Sequence, residues 1–267
     1  MNPKHKKLRV GAVRYLNSKP LIECLPDLLP EAEIVADVPS RLADGLAERR
    51  FDVALIPSIE ALRLPDARIV SDACVACNGP VRSVKLIGRV SPDRIASLAL
   101  DEGSRTSAAL ARILLHERYG LEPRMKSLPI GADVDEFDAD AAVVIGDRAM
   151  APAPADAAFV WDLGAEWLDW TNLPFVFAMW TARAESDVGQ LRDRFAEARD
   201  RGVRRCRQIA RREAAALGIS EEDCLDYLEE ALVFSLGTRQ REGLQRFACL
   251  AATHELVPKG ARFVFDD

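Results

Sequence analysis

Asn17-Ser18, Ser58, Asn78-Gly79 with Ser83, Ser104-Arg105-Thr106-Ser107 and Asp147 are the residues of this chain whose types and spacing bear most directly on chemistry. Asn17 and Ser18 are good helix N-caps, and Pro20 is tolerated only in a helix's first turn, so the spacing predicts a helix from about Lys19 to Leu25. The free N–H groups of that helix start, with the Lys19 charge beside them, suit an anion such as a carboxylate. An ordinary turn with a capped helix would give the same pattern. Ser104, Thr106 and Ser107 crowd hydroxyls around a second predicted helix start beside the Arg105 guanidinium, where a plain cap needs only one, so this segment reads as a second carboxylate cradle. Ser58 caps a short helix after a third strand. Asn78 and Ser83 flank the forced turn at Gly79-Pro80, which is either a bend or one side of a cleft. Asp147 stands where a strand ends, as a cap for 148–150 or as a carboxylate at the edge of that cleft.

Other chemistries have little to build on. Of the six cysteines only Cys74 and Cys77 have a close spacing, and His5, His116 and His254 are far apart in sequence, so no metal site and no other cofactor is expected. A formal net charge of −6 argues against nucleic acid as the main partner. The nine arginines between Arg192 and Arg212 are interleaved with Asp193, Glu197 and Asp200, the pattern of a solvated helix face. The apolar run Leu173–Trp180 is too short to cross a membrane. Lys4, Lys6 and Lys7 are not followed by an uninterrupted apolar segment, so a cytoplasmic location is expected.

The elements that must position these residues alternate. Strands are predicted at Leu8–Val13, Glu33–Ala36, Asp52–Ile56 and Arg68–Ala76, with helices between them; a parallel arrangement brings Asn17 and Ser58 to one sheet edge. The pattern restarts at Ser97–Leu100, followed by a helix to Tyr119, strands at Arg124–Leu128, Ala141–Ile145 and Phe159–Trp161, and a short acidic helix at Asp133–Phe137. Leu173–Trp180 then returns the chain to the first unit. The final third is predicted all helical: Asp187–Leu217, Glu221–Phe234 and Thr238–Leu256. This gives a two-lobed α/β fold with a ligand cleft between the lobes and a helical C-terminal segment, lobe I being 1–85 plus 180–267 and lobe II 86–179. The four tryptophans are expected in core or hinge packing.

The combination of Arg9-Val10-Gly11 through Tyr15-Leu16-Asn17-Ser18-Lys19-Pro20-Leu21, Asp52–Ser58, Gly79-Pro80-Val81-Arg82-Ser83-Val84, Asp101 through Ser107, Ile145-Gly146-Asp147 and Trp170–Trp180 resembles the chorismate dehydratases of the futalosine route to menaquinone. The resemblance implies a periplasmic-binding-protein-like fold of type II. It also implies a carbon–oxygen lyase that takes water from chorismate, a small dicarboxylate, to give 3-[(1-carboxyvinyl)oxy]benzoate without a cofactor. Carried over, Asn17 and Ser83 are nearest the reacting atoms, Ser104-Arg105-Thr106 hold one carboxylate, and Ser18, Ser58, Asn78 and Gly79 frame the rest. None of these motifs contains a histidine, so the substrate's own enolpyruvyl carboxylate is expected to take the proton, with Asp147 as the alternative base. A solute-binding protein would share the layout. So would the related enzyme acting on cyclic dehypoxanthinyl futalosine, for which an active-site histidine is expected.

Overall fold

The computed structural model describes residues 7–133, 137–186, 188–189 and 191–266. Strands β1 (Arg9–Val13), β2 (Glu33–Asp37), β3 (Val53–Pro57) and β4 (Ala67–Cys77) alternate with helices α1 (Lys19–Ile22), α2 (Leu25–Leu28), α3 (Pro39–Ala47) and α4 (Ser58–Arg63). The second unit runs β5 (Val84–Gly88), β6 (Ser97–Asp101), α5 (Arg105–Tyr119), β7 (Arg124–Leu128), β8 (Ala141–Ile145), β9 (Phe159–Asp162) and α6 (Leu163–Thr171). Then follow β10 (Phe175–Arg183), α7 (Leu191–Val203), α8 (Cys206–Leu217), α9 (Glu221–Asp226), β11 (Val233–Ser235) and α10 (Thr238–Thr253).

Two sheets result, ordered β11-β4-β10-β3-β1-β2 and β7-β6-β8-β5-β9. β1 is parallel to β2 and β3, while β6 is parallel to β7 and β8. Parallel neighbours put the carboxyl ends of β1 and β3 on one edge, and β3 and β8 are buried along their whole length, as covered parallel strands are. The chain crosses between sheets at residues 78–83 and again at 172–174. Val84 and Lys85 therefore belong to the second sheet and Phe175–Met179 to the first, a few residues from the divisions at 85 and 180 expected from sequence.

The C-terminal third departs further from expectation. The predicted single helix 187–217 is two helices that break at Arg204-Arg205; its expected first residue, Asp187, lies outside the described residues. The predicted helix Glu221–Phe234 stops at Asp226, passes through a π-turn at Tyr227–Ala231 and becomes strand β11. The free edge of β4 decides this: Val233 pairs with Ala76 and Ser235 with Ala73, so ladder bonding to a sheet edge overrides a helical pattern. The first helix is also divided, into α1 and α2, around Glu23-Cys24. The expected acidic helix at Asp133–Phe137 falls on 134–136, outside the described residues.

Packing of the C-terminal helices fixes the first βα turn. At Gly202 a Cβ would lie 1.8 Å from the Pro20 carbonyl oxygen, so α7 rests directly on the backbone of α1. Arg212 of α8 makes two 2.8 Å bonds to Glu23, and Lys19 pairs with Glu213 at 3.4 Å. The arginine-rich face is paired within its helix, as Arg201 with Glu197, and to other elements, as Arg199 with Asp72. Trp167 and Trp180 are fully buried, the latter stacked on Phe195 with ring centres 4.2 Å apart.

Candidate functional site

A narrow cavity lies between the lobes. Val13, Tyr15 and Asn17 line it after β1, Pro57 at the end of β3, Ser104 and Ser107 at the start of α5, and Ile145-Gly146 after β8, with Val81 and Val84 at the crossover. About 40 Å³ of it admits a water-sized sphere, room for roughly three waters. Ligand pockets commonly run to about 300–1,000 Å³, so the cavity as it stands is smaller than a typical ligand site. A wider hollow of about 490 Å³ between α5 and α10 holds Arg112, His116, Glu117 and His254. It sits at the far end of α5 from Ser104, and its groups pair among themselves, His254 Nε2 lying 2.7 Å from Glu117 Oε1. The narrow cavity, where both sheets and both helix starts converge, is the candidate site.

Asn17 is held by a short 3-10 turn, Leu16–Ser18. Ser18 spends its hydroxyl on the turn itself, donating to the carbonyls of Val13 and, at 2.9 Å, Tyr15. The Leu16 N–H donates across the cleft to Asp147 Oδ1 at 2.9 Å. Clamped from both sides, the turn leaves the Asn17 amide facing the cavity, with its Oδ1 buried and without a hydrogen-bond partner. A buried polar atom with no partner costs free energy that a ligand can recover.

Across the cavity, Ser104 is the N-cap of α5; its hydroxyl accepts from the Ser107 N–H at 3.4 Å and shares a 2.8 Å bond with the Ser107 hydroxyl. Cap and third residue stand one above the other on a helix, so both face the cleft, and the first-turn N–H groups beside them have no intrahelical partner. Thr106 is rotated away, and its Oγ1 accepts from Ile59 N–H at 3.1 Å, so it caps α4 instead of a ligand. Ser58 is equally committed, donating to the Val176 carbonyl at 2.8 Å.

Arg105 does not face the cavity. Its guanidinium binds Asp44 at 2.8 and 2.9 Å and Glu60 at 3.1 Å, tying α5 to α3 and α4 on the outside. The carboxylates that claim it come from elements more than forty residues away in sequence, which is why the sequence pattern misassigned it. Arg105→Gln is accordingly expected to change kcat/KM less than about fivefold, the scale of a partly exposed ion pair. Steady-state kinetics check this, since loss of a direct carboxylate ligand would cost far more.

At the crossover, Ser83 is buried just behind the cavity wall, between Val81 and Val84. Its Oγ accepts from the Tyr227 hydroxyl at 2.7 Å, and its carbonyl accepts from Gly146 N–H at 2.9 Å. Asn78 is exposed and does not line this cavity, and Gly79 is packed against Gly164 at the start of α6. Asp162 holds the segment: Oδ1 accepts from the N–H groups of Val81, Gly164 and Ala165 at 2.9 to 3.1 Å, and Oδ2 from Arg82 at 2.6 Å. Asp147 is not on the cavity wall, and it caps the Leu16–Ser18 turn rather than its own. Burial raises its pKa above the usual carboxylate range, against the Leu16 hydrogen bond, which lowers it.

Sequence reading passed over Tyr15 as a site residue. Its ring packs on Gly146, whose φ of +71° and absent Cβ leave space that a side chain would take at 3.0 Å. Its phenol is pushed up to about 12, first by burial and then by the nearby Asp101 carboxylate, itself bonded to Arg148. A tyrosine whose folded pKa exceeds the unfolded value of about 10 contributes stability below pH 10 that is lost as pH rises toward 12. Thermal unfolding is therefore expected to shift to lower temperature between pH 10 and 12, with a shallower slope in Tyr15→Phe.

Among the described residues no group of three or more His, Cys, Asp or Glu side chains is placed to hold a metal ion, and Cys74 and Cys77 are buried free thiols in β4.

A profile of the family described as menaquinone biosynthesis matches residues 8–253. A chorismate dehydratase of Thermus thermophilus is 31% identical over 257 residues, 90% of this chain and 93% of the relative. One from Campylobacter jejuni is 28% identical, covering 90% and 97%. Among solved structures, an Archaeoglobus fulgidus protein superposes with a TM-score of 0.72 at 16% identity, over 96% of this chain and 100% of that one. The periplasmic aliphatic sulphonate-binding protein of Escherichia coli superposes at 0.65 with 18% identity, over 95% and 89%. Those two likenesses give the two-lobed periplasmic-binding-protein-like fold. With the profile spanning both lobes and most of the helical tail, the chain belongs to the menaquinone biosynthesis family.

Proposed function

We propose that this chain is a chorismate dehydratase, a carbon–oxygen lyase converting chorismate to 3-[(1-carboxyvinyl)oxy]benzoate and water. The observation that carries the reading is the composition of the cavity wall. It offers the unpartnered Asn17 amide, the Ser104 and Ser107 hydroxyls and the Tyr15 phenol; among the described residues that line it there is no carboxylate, histidine, lysine or arginine. The Ser104 and Ser107 hydroxyls, the Tyr15 O–H and the Asn17 NH2 are neutral donors for an anion, while the unpaired Asn17 Oδ1 is an acceptor, suited to a ligand O–H; the Tyr15 phenol, raised to about 12, is no base at neutral pH.

The dehydration removes a proton from the ring carbon bearing the enolpyruvyl ether and the hydroxyl from its neighbour, leaving an aromatic ring and one water. The substrate's enolpyruvyl carboxylate takes the proton. Asn17 and Ser83 orient that carboxylate and stabilise charge building on the departing hydroxyl, while the start of α5 holds the ring carboxylate. No cofactor enters the balance. The absence of histidine from the described cavity wall separates this reading from the enzyme acting on cyclic dehypoxanthinyl futalosine.

Incubating the purified chain with chorismate should produce a new aromatic absorbance and a product lighter by one water in mass; unchanged chorismate at high enzyme concentration would overturn the proposal. Asp147→Asn keeps an acceptor for the Leu16 N–H but cannot take a proton. It is expected to retain kcat within about threefold, as orienting contacts outside the chemistry do when conserved. A loss of several orders of magnitude would make Asp147 the base.

A further inference from the structure

We propose that Tyr227 is a positioning residue for this dehydration: its hydroxyl occupies one lone pair of Ser83 Oγ, so that the Ser83 proton is left to point toward the departing hydroxyl. The inference rests on the reading of the chain as a chorismate dehydratase. Tyr227 is fully buried and its O–H donates to Ser83 Oγ at 2.7 Å. Burial carries the phenol far above its ordinary range, and the carboxylates of Asp147 and Asp162 add to the rise, so it stays a protonated donor wherever the protein is folded. Ser83 has little other freedom. Its N–H donates to the Val81 carbonyl at 2.7 Å, its own carbonyl accepts from Gly146, and Arg82 before it is held at a φ of +60°. With the backbone fixed, the remaining variable is the direction of the Ser83 hydroxyl. A serine hydroxyl has one proton and two lone pairs; among the described residues the buried Tyr227 O–H has no partner other than Ser83 Oγ, so reversing the bond would leave the phenol proton unpaired, and the serine proton is released for another acceptor. Ser83 stands behind the cavity wall formed by its neighbours Val81 and Val84, and the acceptor in this proposal is a substrate group admitted to that cleft.

Tyr227 also stands at an unusual place in the backbone. It opens the π-turn Tyr227–Ala231 through which α9 gives way to β11. Turns of this kind are rare and are concentrated at functional sites. Here the wide turn delivers a side chain from the C-terminal segment to a crossover residue 144 positions earlier in the chain.

The test is a double-substitution cycle on the full chain with chorismate. Tyr227→Phe keeps the ring and removes the hydroxyl; kcat is expected to fall about tenfold or more, toward the roughly hundredfold scale for misplacing a reacting group, with KM within about twofold. Ser83→Ala should fall at least as far, and adding Tyr227→Phe to it should cost nothing more. A Tyr227→Phe protein with wild-type kcat, or losses that multiply in the double variant, would overturn the proposal alone. A wild-type chain that leaves chorismate unchanged would overturn it together with the reading beneath it. Should Tyr227→Phe fail to fold, 3-fluorotyrosine placed at position 227 preserves ring and bond while strengthening the donor. A severalfold change in kcat is then expected, and an unchanged kcat overturns the proposal.

Discussion

Asn17→Ala is expected to lower kcat by about 10²–10³-fold, the range for removing one preorganised polar group from a site of charge development, while the melting temperature stays level or rises. The two halves of that result come from one observation. Asn17 Oδ1 is buried and bonds to nothing in the chain, so deleting the amide removes no intrachain hydrogen bond and relieves an unpaired polar atom. What it removes is the group the Leu16–Ser18 turn exists to present. That turn is kept by Ser18 and by the Leu16–Asp147 bond, neither of which involves the Asn17 side chain, so the backbone should hold in the variant. Asn17→Asp should be worse than alanine, because it sets a negative charge where a dianion binds. Single-turnover kinetics with chorismate, paired with thermal unfolding, separate the outcomes. A variant that melts lower and loses activity in proportion would mean that Asn17 is structural after all.

The second large effect concerns stability. Asp162→Ala is expected to cost about 3–5 kcal/mol, because the lost carboxylate leaves several buried or half-buried donors unpaired at about 1–3 kcal/mol each and removes an N-cap worth about 1 kcal/mol. At this chain length that corresponds to a fall in melting temperature of roughly 10 °C. The carboxylate caps α6 through Gly164 and Ala165 and fixes the crossover through Val81 and Arg82, so one side chain sets the helix that ends lobe II and the loop that leads to Ser83. Asp162→Asn keeps one acceptor and turns an amide donor toward the other N–H groups, so it should lie between wild type and alanine. A change under about 0.5 kcal/mol for Asp162→Ala, the scale of an ordinary surface substitution, would show that the crossover is held by packing alone.

Local chemistry was readable from the order of residues. Alternating apolar runs and turn residues place β1 through α5, because these are properties of a few neighbours; of the expected caps Ser104 holds its helix start, while the Ser18 and Ser58 hydroxyls donate to carbonyls instead. The cap at Ser104 with Ser107 three residues on is of the same kind. The identity of the family follows from those same short segments, which is why it too was legible.

Tertiary structure decided which of the candidate groups are free to act. Arg105, Thr106, Ser58 and Lys19 were all plausible anion ligands by type and position, yet each is claimed by a partner from a distant segment: Asp44 and Glu60, Ile59, Val176 and Glu213. Asp147 meets Leu16 across 131 residues and Tyr227 meets Ser83 across 144, distances over which spacing carries no information. β11 is a strand because β4 offers an unpaired edge, not because Val233–Ser235 prefers one. The sequence determined by itself where α1, α3, α4 and α5 begin and which residues could bind an anion, since turn residues and charges are local; only the folded chain determined that Asn17 Oδ1 is left without a partner, since satisfaction of a polar group depends on everything that surrounds it.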